Sequence, residues 1–417
     1  MQDVLAMLSA RDIFAGCEQL AEISSEGECL KRIYLSAEHA QANALVAKWM
    51  QAAGMTTWQD AAGNQWGRFE AMESDRPALV LGSHLDTVPD AGHFDGMLGV
   101  LLAIGTVARL KREGKRLPFA LEVVGFGDEE GTRFGTTLLG SQAVAGQWQD
   151  EWWQLRDDDG ITLEQAFRQF GLEPACIKEA ARRPETIIGY LEAHIEQGPV
   201  LESRNQPLGV VTAIAGARRF SITLTGQAGH AGTTPFELRR DALCGAAEAV
   251  IAVEALARAA QIVATVGRLE VVPGAVNVIP GKVTFSLDIR AEEDDLRDRT
   301  CGAILETLER IAADRGLTLS CDETHGAPAV RCATHLQTAL SDAIEHIAPP
   351  VSALFSGAGH DGMAMAAITD IGMLFLRCRG GISHHPDESV RVDDIAVALD
   401  ALERTVLLLA EQHAQAG

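Results

Sequence analysis

The sequence has several short segments in which histidine and carboxylate residues lie close enough to share divalent cations. In GSHLDTVPDAGHFDGMLGV (82–100), His84 closes an apolar run, Asp86 follows two residues on, and Asp95 comes after a glycine-containing turn and opens a helix. Two cations about 3.5–4 Å apart need one carboxylate between them, with imidazoles and carboxylates on either side. A strand residue at i+2 shares the face of the first, so Asp86 can hold the His84 ring from behind. In GDEEGTRFGTT (127–137), two glutamates follow an apolar strand. Two carboxylates there repel unless something positive lies between them. Neighbouring side chains diverge, which suits Glu130 as a ligand and Glu129 as a general base facing a substrate water.

Other segments are weaker when taken alone. YLEAHIEQGP (190–199) holds His194 in an alternating apolar run, with Gln197 close by. A lone histidine in such a run is more often a core residue than a ligand. GGISHHPDES (380–389) sets His384 and His385 after a Gly-Gly turn. FSGAGHDGMAMA (355–366) is a glycine-rich loop whose Gly357, Ala358 and Gly359 can present N–H groups to an oxyanion. GQAGHAGTTP (226–235) puts His230 between glycines on a loop. Any one of these reads equally well as a solvated polar loop; the set together does not.

The elements that must position these residues alternate in type. Helices are expected over 38–54, 100–114 (amphipathic) and 335–347, and buried strands over 77–87, 119–131 and 372–378. Strand–helix–strand order implies a mixed, largely parallel sheet covered by helices, with ligands beyond the carboxyl ends of the strands. His84, Asp86, Asp95, Glu129 and Glu130 fall at such ends. The acidic, Trp-rich stretch 148–186 reads as surface helices packed on this domain. From about 213 the pattern changes to strand 218–226, helix 239–258, strands 261–271 and 282–290, helix 294–316 and strand 317–325. That βαββαβ order describes an inserted ferredoxin-like domain. The expected division is a catalytic domain from residues 1–212 and 327–417, interrupted by a lid/dimerisation domain at 213–326.

Composition bounds the partners. With 58 acidic against 35 basic residues and a formal charge of -23, nucleic acid and anionic membranes are not expected to bind. The N-terminal MQDVLAMLSARDIF lacks a basic run leading into an unbroken apolar core, so no signal peptide is expected. No apolar stretch approaches the ~20 residues that span a bilayer. Eight scattered cysteines without CxxC pairs read as reduced thiols of a cytoplasmic protein.

Together GSHLDTVPDAGHFDG, DEEGTRF, HIEQGPVLES, GHAGTTP, NVIPG, SGAGHD and SHHPDE resemble the hydantoinase/carbamoylase amidohydrolases, part of the wider M20 metallopeptidase-like group. The matches run in order from about residue 80 to 390. The nearest likeness is to the allantoate amidohydrolases, through GARRF (216–220), AVNVIPG (275–281) and GISHHP (381–386). N-carbamoyl-L-amino-acid hydrolases share most of these motifs.

The resemblance implies two divalent ions per subunit. His84, Asp95 and His194 would hold one; Asp95, Glu130 and His384 the other, since the first histidine of SHxPxE ligates. Zn or Mn is expected, and Co or Ni also suits the donors. Glu129 corresponds to the general base. His230, Asn277 and Arg290 match positions that bind substrate or polarise its carbonyl, and Gln197 lies near the metals. Lids of this kind commonly mediate homodimers, and two assignments stand open for His230, the site of its own subunit on domain closure or the partner subunit's site. Ala91 replaces a frequent glycine, Gly362 a frequent alanine, and His385 is an extra imidazole.

The implied reaction hydrolyses a ureido C–N bond of a small anionic substrate, allantoate giving ureidoglycine, ammonia and carbon dioxide. His230 and the 357–359 backbone would steady the oxyanion, while Arg290 with Asn277 would clamp the substrate carboxylate. The alternatives are an N-carbamoyl-L-amino-acid hydrolase, an M20-type dipeptidase or deacylase, and a non-catalytic dimeric binding protein. Loss of a ligand or of Glu129 would favour the last, and neither is lost.

Overall fold

The structure is a computed structural model describing residues 5–27 and 29–416. The first four residues of the N-terminal stretch discussed above, Glu28 and the final residue of the last domain segment lie outside the described residues. The chain divides into two compact units. One comprises Met1–Thr212, Cys332–Leu354 and Ala358–Gly417, the other Ala213–Arg331 and Phe355–Gly357. Residues 327–331 go with the second unit, where Val330 and Arg331 pair with Ile214 and Ala213.

The first unit is a mixed α/β structure. Four strands lie side by side and parallel in the order Ala120–Phe126, Ala78–His84, Ile187–Ile195, Ile371–Leu376. Gln65–Phe69 and then Thr56–Gln59 extend one side antiparallel, and Leu208–Ile214 lies antiparallel on the other. Ala78–His84 and Ala120–Phe126 are buried at every residue, as their unbroken apolar runs require of central parallel strands. His84 pairs in register with Phe126, so the polar segments that follow these two strands leave the sheet at the same edge.

The helix Met97–Arg112 packs on this sheet and against the helices Ala10–Ala21 and Val392–Ala416. It is buried around most of its circumference, not amphipathic as expected, with exposure concentrated at Lys111 and Arg112. A Cβ at Gly99 would lie 2.1 Å from the Ala193 carbonyl oxygen, so glycine there lets the helix rest on the strand that carries His194. In the Trp-rich stretch a short helix, Leu163–Phe170, and several 3₁₀ turns bury Trp152 and Phe167 against Tyr34 and Leu35, in a cluster apart from the main core.

The second unit holds an antiparallel sheet ordered Leu269–Val272, Lys282–Ala291, Gly216–Thr225, Thr318–Ala327. Val263–Thr265 also pairs with Lys282–Ala291. Every second residue of the two middle strands, Phe220, Ile222 and Leu224 and then Val283, Phe285, Leu287 and Ile289, is buried. The helices Ala242–Ala260 and Asp294–Asp314 pack on that face. A two-stranded ribbon joins Gly229–His230 to Val278–Ile279. Among the described residues no helix is long and apolar enough to cross a membrane, and all eight cysteines are free.

Candidate metal centre

His84 ends one central strand and His194 is the penultimate residue of its neighbour, so both rings emerge at the carboxyl edge of the sheet. The Nδ1 of His84 lies 3.0 Å from the Asp86 carbonyl oxygen, and that of His194 lies 2.9 Å from the Ile195 carbonyl. A carbonyl can only accept, so each Nδ1 carries the proton and each Nε2 turns a lone pair outward. The two Nε2 atoms are 3.5 Å apart. Asp95 Oδ1 lies 3.0 Å from His194 Nε2 and 3.6 Å from His84 Nε2. Asp95 reaches this point because Gly96, at φ +72°, turns the chain immediately before the helix; a Cβ on Gly96 would lie 2.5 Å from the His84 ring.

The segment after Ala120–Phe126 is bent by positive φ at Asp128 (63°) and Gly131 (65°), which brings both Glu129 and Glu130 to the cluster. Their backbone N–H groups donate to the two carboxylate oxygens of Asp86 at 3.0 and 3.1 Å. The backbone and the side chain of Asp86 thus meet different partners. Its carbonyl holds the His84 ring, while its carboxylate lies 3.7 Å from that ring and pins the backbone of the glutamate pair instead. Burial raises the Glu129 carboxyl well above its usual range; His84 opposes this, but Glu130, Asp361 and Asp86 add to it.

The other face of Asp95 looks toward a second set. Its Oδ2 lies 3.2 Å from His384 Nε2, and that nitrogen lies 3.4 Å from Glu130 Oε1. His384 takes a left-handed backbone (φ +55°), which aims the first histidine of the pair inward. His385 is exposed and accepts from the Asp387 N–H at 3.1 Å. Gln197, also left-handed, donates to Asp95 Oδ2 at 2.9 Å and to Ser383 Oγ at 3.2 Å.

These residues fit cations. His84, Asp95 and His194 form one group of converging ligand atoms, and Asp95, Glu130 and His384 another; a third overlapping group joins His84, Glu129 and Glu130. Among the described residues no hydrogen-bond donor satisfies the buried Asp95 Oδ1. Two imidazole lone pairs and a carboxylate oxygen aimed at one point repel one another, and a positive ion satisfies all three. The Asp95 carboxylate offers one oxygen to each group, which is the arrangement of a bridging ligand.

Residues outside the expected site set also shape the site. Glu388 accepts the N–H groups of Phe94 and Asp95 at 2.8 and 3.1 Å, and Ser383 Oγ lies 2.9 Å from Asp95 Oδ2. Glu192 accepts from Ser83 and from the Gly362 N–H beneath the sheet edge. Glu388 sits within the SHHPDE motif, so its place there was the available signal.

The second unit carries the remaining expected residues. The ribbon sets His230 beside Asn277: Ala231 N–H donates to the Asn277 carbonyl at 2.9 Å. His230 is exposed, and its Nδ1 accepts from Gly232 N–H at 3.1 Å, leaving Nε2 to face outward. Arg290 is not brought to them. It lies near the far end of the strand that Lys282 begins, eight residues and about 26 Å from Lys282 at the usual rise per residue. The fork of Arg290 donates to both Asp288 oxygens at 2.9 Å, and its Nη1 donates to the Gly357 carbonyl at 2.5 Å. Arg290 and Asn277 of one chain thus do not form a single clamp. In the first unit, the Cβ position of Gly359 lies 3.8 Å from Glu129 Oε1, which puts this end of the Gly357–Ala358–Gly359 loop beside the general-base candidate.

Residues 80–408 match the profile of Peptidase family M20/M25/M40. The chain belongs to the M20/M25/M40 peptidase family. Several of its relatives are named allantoate deiminases or N-carbamoyl-L-amino acid amidohydrolases. It is 41% identical to a probable allantoate deiminase of Oryza sativa subsp. japonica, over 91% of this chain and 84% of that one. It is 40% identical to an N-carbamoyl-L-amino acid amidohydrolase of Geobacillus stearothermophilus, over 97% of this chain and 100% of the relative. The crystal structure of an amidase of the hydantoinase/carbamoylase family from Burkholderia multivorans matches with a TM-score of 0.91 and 32% identity, covering 97% of this chain and 98% of that one. As a member of the M20/M25/M40 family with these relatives, the protein is a hydrolase of C–N bonds.

Proposed function

We propose that the protein hydrolyses the ureido C–N bond of a small carboxylate, with allantoate as the substrate. The observation that carries this reading is the Asp95 carboxylate, which divides its two oxygens between two groups of metal-ligand atoms beside the buried Glu129. His84, Asp95 and His194 would hold one ion and Asp95, Glu130 and His384 the other, with Zn or Mn favoured and Co or Ni also suited. Divalent ions held there supply Lewis-acid polarisation of a carbonyl and of water.

Glu129 takes a proton from the water that attacks the ureido carbon, then delivers it to the nitrogen that departs. The C–N bond breaks, ammonia leaves, and the carbamate that remains loses carbon dioxide to leave ureidoglycine. Asp86 keeps Glu129 aimed through its backbone. The N–H groups of 357–359 face the developing oxyanion.

The chain divides on this reading into a catalytic domain (1–212 and 327–417, apart from 327–331 and 355–357, which go with the second unit) and a ferredoxin-like lid (213–326) through which two subunits pair. The place of Arg290 near the far end of the strand, away from the ribbon that carries His230, supports it: residues set apart in one subunit can serve one kind of site when they reach it from different subunits. Arg290 would meet the substrate carboxylate, and His230 and Asn277 the partner subunit's carbonyl. Cytoplasmic location accords with eight free cysteines.

Relatives of both kinds stand at nearly equal identity, so an N-carbamoyl-L-amino-acid hydrolase is the second reading. Ammonia release from allantoate and from N-carbamoyl-L-amino acids, each with and without chelator, distinguishes them. Preference for allantoate, lost on chelation, supports the proposal; activity that persists after rigorous metal removal overturns it.

A further inference from the structure

The three histidines of the cluster are not held equally. His84 and His194 are buried and locked by carbonyls on Nδ1. The side chain of His384 is half exposed, and its ring makes its contacts through Nε2, to Asp95, Glu130 and Gln197. Its direction therefore rests on how its loop is fixed against the segment that carries Asp95.

Glu388 does that fixing. Its side chain is buried, and its Oε1 accepts the consecutive N–H groups of Phe94 and Asp95. Its Oε2 lies 3.1 Å from Ser383 Oγ, which also reaches Asp95 Oδ2 at 2.9 Å. The loop before Asp95 is moulded around this carboxylate: a Cβ on Gly92 would lie 2.3–2.4 Å from Glu388 side-chain atoms. One side chain thus ties together two loops that follow different strands, Ala78–His84 and Ile371–Leu376.

We infer that Glu388 is a positioning residue that sets the Asp95–Glu130–His384 group, and that it governs how tightly this second group holds its ion. The inference rests on the two-ion reading above. Without Glu388, Asp95 keeps its Oδ1 contact with the two locked histidines, but its backbone and the His384 loop lose their common peg. Loss of an outer hydrogen-bond partner of this kind weakens metal affinity by roughly 10- to 100-fold.

The test is calorimetric titration of Mn²⁺ into metal-stripped protein, comparing the native chain with Glu388→Ala, Glu388→Gln and Gly92→Ala. Glutamine keeps an acceptor for the two N–H groups, so it remains informative should the alanine variant fail to fold. Two sites are expected in the native protein. The weaker one should loosen about 10-fold or more in Glu388→Ala and Gly92→Ala, and less in Glu388→Gln, with the tighter site within about 2-fold of native. A native protein that binds fewer than two ions overturns the two-ion reading itself. A native protein with two ions, and variants that bind both as tightly or loosen both equally, overturns the role of Glu388 alone.

Discussion

The Nδ1 of His84 is held by the carbonyl of Asp86, not by its carboxylate. One residue thus carries two tasks, its backbone orienting a ligand and its side chain orienting Glu129 and Glu130. Asp86→Asn should separate them. The carbonyl survives the substitution, so the ion held by His84, Asp95 and His194 should stay near native occupancy. The amide offers one acceptor where two N–H groups need one each, so kcat should fall by about 10-fold or more while KM changes little. Metal analysis beside steady-state kinetics checks this, and loss of metal in parallel with activity would contradict it.

Glu129→Ala should leave fold and metal content intact and lower kcat by roughly 10²- to 10⁴-fold, the usual worth of a positioned acid–base group. Elemental analysis, circular dichroism and ammonia release decide the matter. A retained rate would assign the base elsewhere.

Gly96→Ala should damage the first ion group without touching a ligand. The added methyl would lie 2.5 Å from the His84 ring, at a φ of +72° that L-residues rarely adopt. The ring must move, and the turn is strained by about 1–2 kcal/mol or more. Denaturant melts of the metal-free protein should show the strain, and metal titration the loss of affinity.

His384→Ala and His385→Ala should differ sharply, although the residues are adjacent. The first removes an atom 3.2 Å from Asp95 and 3.4 Å from Glu130 and should cost one ion and most turnover. The second removes an exposed ring and should change stability by about 0.5 kcal/mol or less. Equal effects would reassign the ligand.

Chelation should lower thermal stability as well as abolish activity, because ions that bind only the folded chain stabilise it by mass action, about 2.7 kcal/mol at one hundred times Kd. Melting curves with chelator, and then with Zn²⁺ or Mn²⁺ in excess, check the loss and its recovery.

Much of this was written locally in the chain. His84 and the Glu129–Glu130 pair each follow a short apolar run, so their place at parallel strand ends could be read without knowing what paired with what. His194 could not be read in that way: alternation gave it a strand, but only the resemblance made it a ligand. Glu388 acts on Phe94 and Asp95 from the opposite end of the sequence, and although its place in SHHPDE marks it, nothing there says which segment it meets. For Asp86, residue spacing reports which face a side chain takes and says nothing of where a carbonyl points. The separation of Arg290 from Asn277 was hidden for a similar reason. Both look suited to a carboxylate, and only strand direction shows that they stand at opposite ends.

Strand Ile371–Leu376 lies between Ile187–Ile195 and Leu208–Ile214, parallel to one and antiparallel to the other. Its position gives the first unit an order of assembly. During synthesis the sheet must wait with a gap at its middle while the chain grows from residue 214 to residue 371. At ~5–20 residues per second the wait is roughly 8–30 s, during which two buried strand edges stand open. The second unit has a sheet and core of its own and can fold within that interval. For the nascent protein, the hazard is strand capture by a neighbouring chain, and it ends only when the late strand arrives.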